Sequence, residues 1–352
     1  MLQKEQMKKE NVLLVGVGGF GRNHLKAWIE LGYLDHLYVC ERDPLKFDSI
    51  QKYGISISRI SNDIDAFLDQ VHLVDICTGS ESHFKLAKWA LQHDKDIFIE
   101  KPMTMTSREA HQLEPLVRGK NRKLQVGYYY RFHSLSQKLK SLMSELGDVR
   151  YIQGDFLGFK RARTDVGVMH TDGIHFIDLT NWLLETKPKM VYGFTKDHFK
   201  RGLEDLAVGH FFYPNDVILN LEAGYIQPGQ WKDKVVAQAM TTKKIIVMGS
   251  KASVSVDFEA ENIQYHDCKH MYQDGIWKLD YRGERSYIVD TVNTVDLICR
   301  ELSDFIEVCQ NKKKSGANVT QCGIDLAHIM EAYYEASKNY QLREIDYGTM
   351  KE

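Results

Sequence analysis

Three glycines near the N-terminus have the spacing that holds a pyrophosphate. The segment Val15-Gly-Val-Gly-Gly-Phe-Gly places them at Gly16, Gly18 and Gly21. Gly16 permits a tight strand-to-helix turn, Gly18 lets the backbone approach a diphosphate, and Gly21 lets helix and strand pack closely. The anion then sits on the helix N-terminus, where free N–H groups and the helix dipole favour negative charge. Glu41 follows Gly21 by 20 positions, at the end of the next apolar run. A carboxylate there accepts hydrogen bonds from both adenosine ribose hydroxyls and repels a 2′-phosphate, which favours NAD. Arg42 comes next and could cover an adenine face or accept a 2′-phosphate, so NADP stays open. A glycine-rich turn with a chance acidic residue is the ordinary alternative. Here the motif follows a strand and opens a helix, which is the context the chemistry needs.

The elements that would carry these residues alternate. Apolar runs read as strands over Val12–Val15, Leu37–Cys40, Leu73–Cys77, Ile97–Glu100 and Leu124–Gly127. Helical spacing falls between them: from Leu25 to a stop at Gly32, then over Asp63–Leu68, His83–Leu91 and Ser107–Val117. Such alternation predicts a doubly wound parallel sheet, a Rossmann domain over residues 1–127. After Gly127 the pattern changes. Leu135–Leu146 reads as a helix, Val149–Leu157 as a strand and Asp172–Leu184 as an apolar helix. Successive strands then run from Val191 to Tyr265, and Val289–Val308 and Cys322–Ser337 close the chain as helices. Residues 128–352 are therefore expected to form an α+β domain on an open, mostly antiparallel sheet, and the fold class is α/β.

Further motifs stand at the ends of these elements. Ile76-Cys-Thr-Gly-Ser-Glu-Ser-His83 ends one strand and Glu100-Lys-Pro102 the next. Gly127-Tyr-Tyr-Tyr-Arg-Phe132 follows the last Rossmann strand, and Gly173-Ile-His-Phe-Ile-Asp178 opens a helix of the second domain. With Gly249-Ser-Lys and the closing helices, these resemble the glucose–fructose oxidoreductase, inositol dehydrogenase and MocA (Gfo/Idh/MocA) family over nearly the whole chain. The resemblance implies that Glu100 and Lys101 lie at the nicotinamide, with Lys101 contacting both substrate and cofactor. It implies that His175 moves the substrate proton and that Thr78, Ser80 and His83 line the cofactor. Arg131 matches an arginine near the nicotinamide amide. With Gly16, Gly18, Phe20, Gly21, Glu41 and Arg42, these make up the expected cofactor contacts. The family's open sheet often forms dimers or tetramers. One departure concerns the aspartate that usually stands four residues before the histidine. Thr171 is there, and Asp172 stands three before. Both spacings share a helical face if the helix has begun, so either could partner His175.

The residues themselves suit hydride transfer from a carbinol, which needs a base for the hydroxyl proton and a cation for the developing alkoxide. Histidine has an unperturbed pKa near 6.5, so His175 suits the base. Lys101 suits the oxyanion, and Asp172 would orient His175. Without the resemblance, a histidine before an apolar helix is an ordinary structural residue, a lysine at a strand end is a surface charge, and Asp178 is a helix-face or supporting group. Phe159-Lys-Arg-Ala-Arg163 could grip an anion through its arginines or form a solvated basic turn. The expected substrate contacts are Lys101, Arg131, Arg163, Thr171, Asp172 and His175. The stretch from Ala223 to Lys234 loosely resembles one used by family members acting on nucleotide sugars. The substrate is thus read as a sugar, inositol or nucleotide sugar. Two further readings stay open: a redox-neutral glycosidase with tightly held NAD, and a non-catalytic dinucleotide-binding regulator.

Composition narrows the rest. The 352 residues carry 46 basic and 48 acidic side chains, so no basic excess points to nucleic acid or a membrane surface. No apolar run reaches the roughly 20 residues of a bilayer span. The polar N-terminal segment does not read as a signal peptide. Six scattered cysteines form no Cys-x-x-Cys pair, which fits reduced thiols in a cytoplasm. His266-Asp-Cys-Lys-His270 offers three metal-type donors where structural zinc takes four, so it reads as a polar hairpin loop and no metal is expected. A homodimer or homotetramer is expected, because an open sheet leaves an apolar face to cover.

Overall fold

The computed structural model describes residues 9–236, 238–313 and 320–348. The chain divides into two compact units. The first comprises the chain up to Gly127 together with Thr294–Ile324, and the second Tyr128–Asn293 with the chain from Asp325 onward.

The first unit runs β1 (Val12–Val15), α1 (Gly21–Glu30), β2 (Leu37–Cys40), α2 (Phe47–Gln51), β3 (Ile60–Ser61), β4 (Leu73–Ile76), α3 (Ser80–Gln92), β5 (Asp96–Glu100), α4 (Ser107–Gly119) and β6 (Leu124–Gly127). All neighbouring strands are parallel, in the order β3-β2-β1-β4-β5-β6. That is the doubly wound order, with the switch point between β1 and β4. β1 and β4 are buried along their whole length, as strands covered on both faces must be. The expected helix at 63–68 is a 3₁₀ turn over Ile64–Phe67, capped by the Asp63 carboxylate.

The second unit runs α5 (Ser134–Leu142), β7 (Val149–Phe159), α6 (Ile174–Leu184), β8 (Met190–Lys196), β9 (Leu206–Phe212), β10 (Ile218–Gly224), β11 (Trp231–Lys232), β12 (Met240–Gly249), β13 (Ala252–Asp257), β14 (Asn262–Gln273) and β15 (Ile276–Tyr287). Its sheet has the order β15-β14-β13-β12-β7-β10-β9-β8-β16, with β11 beside β12 and β16 at Arg343–Glu344. Every pair is antiparallel except β7 with β10. Alternate residues of β7, β9, β10 and β12 are buried, so one face of the sheet packs inward.

Two expectations need correction. His266 to His270 lie inside β14, not in a loop, and a bulge between Asp267 and Cys268 breaks the alternation that would have aligned their side chains. The turn of this hairpin is Asp274-Gly275, both at positive φ, an ordinary hairpin pair. The helix expected at 289–308 begins at Thr294, as α7 (Thr294–Cys309). Placed with residues 128–352 on sequence, α7 instead supplies Ile298, Leu302 and Phe305 to the core around α1 and β1. Helix α8 (Thr320–Asn339) follows and leads into β16.

Candidate active site

The cofactor turn is built by two close approaches. Gly16 has φ +89°, a conformation side chains resist, and its N–H donates to the Cys40 carbonyl at 2.8 Å. A Cβ on Gly21 would collide with the Gly16 carbonyl, so α1 can begin against β1 only with glycine there. A Cβ on Gly18 would meet no atom within 4 Å, which leaves that backbone open to an approaching group. The first turn of α1 carries no acidic side chain, so nothing offsets the positive end of its dipole. The Phe20 ring lies against His24, with centroids 5.5 Å apart.

Glu41 is buried at the end of β2. Its Oε2 accepts the Val17 N–H at 2.9 Å, and its Oε1 accepts the Asp43 N–H at 3.1 Å and the Lys46 ammonium at 3.0 Å. Burial works against its charge, but these donors outweigh it and hold the carboxyl below its ordinary value. A carboxylate offers about four lone-pair sites, so acceptor capacity remains for ribose hydroxyls. Arg42 beside it is exposed. An open diphosphate cradle followed by an ionised carboxylate fits a dinucleotide.

The next strand ends are tied together. The His83 ring bridges the Pro102 carbonyl at 2.7 Å and the Thr78 carbonyl at 3.2 Å, and so links α3 to the loop after β5. Thr78 shares a hydrogen bond with Ser82 at 2.6 Å. Ser80, the first residue of α3, has a buried hydroxyl with no partner among the described residues. Lys101 and Glu100 are both buried, and the Lys101–Pro102 peptide is cis.

In the second unit, His175 occupies the first turn of α6 and is buried. Tyr129 and Tyr130 flank its ring with centroids at 5.1 Å each, and Phe156 of β7 lies at 6.1 Å. Burial holds both phenols far above their ordinary pKa, so they stay protonated. Residues Met169–Gly173 form a π-turn ahead of α6. The α-helical spacing that would put Asp172 and His175 on one face therefore does not apply. Asp172 forms a buried ion pair with Lys160, Nζ to Oδ2 2.7 Å. The Thr171 hydroxyl donates to the Gly167 carbonyl. Arg131 makes a bidentate pair with Asp178, Nε to Oδ2 2.8 Å and Nη2 to Oδ1 2.6 Å, both side chains buried. Arg163 is held by Asp165 two residues on.

Several groups escaped the sequence. Lys160 lies between the rings of Phe156 and Tyr225, its ammonium 5.0 and 5.6 Å from their centroids. Lys243 is buried on β12, paired with Asp233 at 2.8 Å and Glu259 at 2.6 Å. Burial disfavours its charge, yet Asp233, Tyr129 and Glu259 together outweigh that and raise its pKa. The same pair draws Asp233 down to about 2. A signal for Lys243 did exist: it falls in the inward register of Thr241, Ile245 and Val247. Asp233 and Glu259 reach it only through the fold.

A parallel sheet in doubly wound order, an open glycine turn at its switch point and an ionised carboxylate at the end of β2 define a dinucleotide-type fold. Residues 10–128 match the family described as an oxidoreductase family with an NAD-binding Rossmann fold, and residues 136–255 match the Gfo/Idh/MocA C-terminal domain. The chain belongs to the Gfo/Idh/MocA family and is an NAD(P)-dependent dehydrogenase. It is 26% identical to the UDP-N-acetylglucosamine 3-dehydrogenase of Acidithiobacillus ferrooxidans, over 83% of this chain and 86% of that one. It is 24% identical to the glucose-6-phosphate 3-dehydrogenase of Bacillus subtilis, over 95% and 98%. Its fold matches an oxidoreductase domain protein from Kribbella flavida with a TM-score of 0.81 at 20% identity, covering 97% of this chain and 100% of that one.

Proposed function

We propose that the protein moves a hydride between NAD and a secondary alcohol of a sugar, inositol or nucleotide sugar. The observation that carries this is the setting of His175, a buried titratable ring walled by aromatic faces, in a chain with an NAD-binding turn. Polyols bind through stacking of their C–H faces and paired polar groups, and Phe156, Tyr225 and the Lys160–Asp172 pair offer both within the second unit. Names of relatives support the substrate class: UDP-N-acetylglucosamine 3-dehydrogenase, glucose-6-phosphate 3-dehydrogenase and the inositol 2-dehydrogenase of Salmonella typhimurium.

The nicotinamide, when bound, accepts the hydride. His175 takes the hydroxyl proton, and the Lys101 ammonium stabilises the developing alkoxide. Gly16, Gly18, Phe20, Gly21, Glu41, Arg42, Thr78, Ser80, His83 and Glu100 hold the cofactor, with Glu41 favouring NAD over NADP. Asp172, Thr171, Arg131 and Arg163 shape the substrate's surroundings. Asp172 acts there through its pairing with Lys160. We place the protein in the cytoplasm, which its six free cysteines support. No described helix is long and apolar enough to cross a membrane.

The test incubates the protein with NAD⁺ or NADP⁺ and a panel of sugars, inositols and UDP-sugars, following the absorbance of the reduced cofactor. Reduction with one substrate class, lost in Lys101→Ala and His175→Ala, is the expected result. Cofactor binding with no reduction across the panel would overturn the reading in favour of a redox-neutral glycosidase or a regulator.

A further inference from the structure

Inside the first unit lies a cluster of ionisable groups that the reaction above does not use. His24 on α1 has its Nδ1 2.9 Å from Asp75 and its Nε2 3.2 Å from Glu100. The Trp28 indole donates to the same Asp75 carboxylate at 2.7 Å. Glu301, on α7, is the fourth member. Its side chain is wholly buried, and neither carboxyl oxygen has a hydrogen-bond partner among the described residues. One carboxyl oxygen of Glu301, one of Glu100 and a ring nitrogen of His24 all lie within 4.8 Å of one another. Around them stand Asp75 and Cys77 at the end of β4, and Asp304 on α7, which Lys313 already pairs.

Two carboxylates side by side and out of water cannot both ionise without a large penalty. His24 lies between Asp75 and Glu100 and is shared by both. Burial, and then the Glu100 carboxylate, push Glu301 far above its ordinary value. Burial opposes the imidazolium, but Asp75 and Cys77 together outweigh it and raise His24. The Glu100 Oε1 lies close against the Gly127 backbone, where a Cβ would come within 2.5 Å of it, and His24 Nε2 lies 3.2 Å from the same oxygen. Glu100 is therefore held in place, with an unpartnered buried acid beside it.

We propose that Glu301 is a positioning residue for the reaction. As the neutral acid it shares its proton with the Glu100 carboxylate and fixes the strand end that carries Lys101. The inference rests on the role given to Lys101 above.

Thermal unfolding against pH reads the proton, and turnover reads the positioning. In the unfolded chain a glutamate titrates near 4.3. With a raised folded pKa, the native state holds the proton that the unfolded state loses, so wild-type stability falls as pH rises above about 4.3. An amide does not titrate. The Tm of Glu301→Gln relative to wild type should therefore climb between about pH 4.5 and 6.5, below the region where His24 loses its proton in the unfolded chain. Glu301→Gln, which can still donate to Glu100, should keep kcat within about twofold. Glu301→Met fills the space but cannot donate, so it should stay folded with kcat down about tenfold. If Glu301→Gln fails to fold, Glu301→Met decides. Loss of the Lys101 reading would show separately, as turnover surviving in Lys101→Ala while the pH-dependent Tm gap persists. A flat Tm gap, wild-type kcat in Glu301→Met, or a stoichiometric metal ion present in the wild type and absent from Glu301→Gln would overturn the proposal.

Discussion

Lys160 and Asp172 bury opposite charges beside the rings of Phe156 and Tyr225. Removing the ammonium alone strands a buried carboxylate, which costs about 3–5 kcal/mol. Lys160→Met should thus lower the urea midpoint sharply, and adding Asp172→Asn should restore most of it. A double variant no more stable than the single would show that the two charges are not coupled. Glu41 gives a second prediction at this scale. Hydrogen bonds to a charged group are worth about 1.5–3 kcal/mol, so Glu41→Ser should cost about ten- to a hundredfold in kcat/KM for NAD⁺. The loss for NADP⁺ should be smaller, because the repulsion of a 2′-phosphate goes too. Equal losses for both cofactors would remove Glu41 from the selection. The sequence showed Glu41 because its partners, Val17 and the glycine turn, lie at fixed local offsets. It did not show that Lys160, rather than Arg163, turns inward, because that depends on where the π-turn carries Asp172.

Elements were legible where one period ran through them. β1, β2, β4, β5 and β6 are short apolar runs between turns, and the strand order follows from their alternation with helices. The hairpin β14–β15 was not, since most of its side chains face solvent: the alternation of Trp277, Leu279 and Tyr281 in β15 points its apolar side outward, so it marks no core. Nor could amphipathic spacing say which unit α7 covers. Its apolar stripe of Ile298, Leu302 and Phe305 fits either core by pattern, and only the structure sets Phe305 edge-on to Phe98 with ring centroids 5.7 Å apart. Phe305→Ala should cost about 3–5 kcal/mol. The loss should appear as faster amide exchange in β1, β4 and β5, with β8 to β10 unchanged. Equal acceleration in both sheets would mean that the two units unfold as one, and that α7 does not belong to the first alone.

At the scale of the whole molecule, the outer edge of the second sheet asks for a partner. β15 is an edge strand, and its unpaired backbone is flanked by exposed apolar side chains: Trp277 is 69% and Leu279 79% exposed, with Tyr272, Ile276 and Tyr281 also open to solvent. A soluble chain seldom leaves so many large apolar groups along one edge, because edge strands recruit further strands. A second copy is the simplest occupant, since two identical edges can pair antiparallel about a twofold axis, residue i of one meeting residue j of the other and the reverse. Sedimentation should therefore give a dimer or tetramer. Trp277→Lys with Leu279→Lys should shift it toward single chains at the same concentration, because like charges on a shared edge repel across the axis. NAD⁺ affinity should hold in that variant, since the cradle at Gly16 to Gly21 lies in the first unit. A wild type that sediments as a single chain would leave these side chains without the partner assigned to them, and an unchanged assembly in the variant would move the interface to another face.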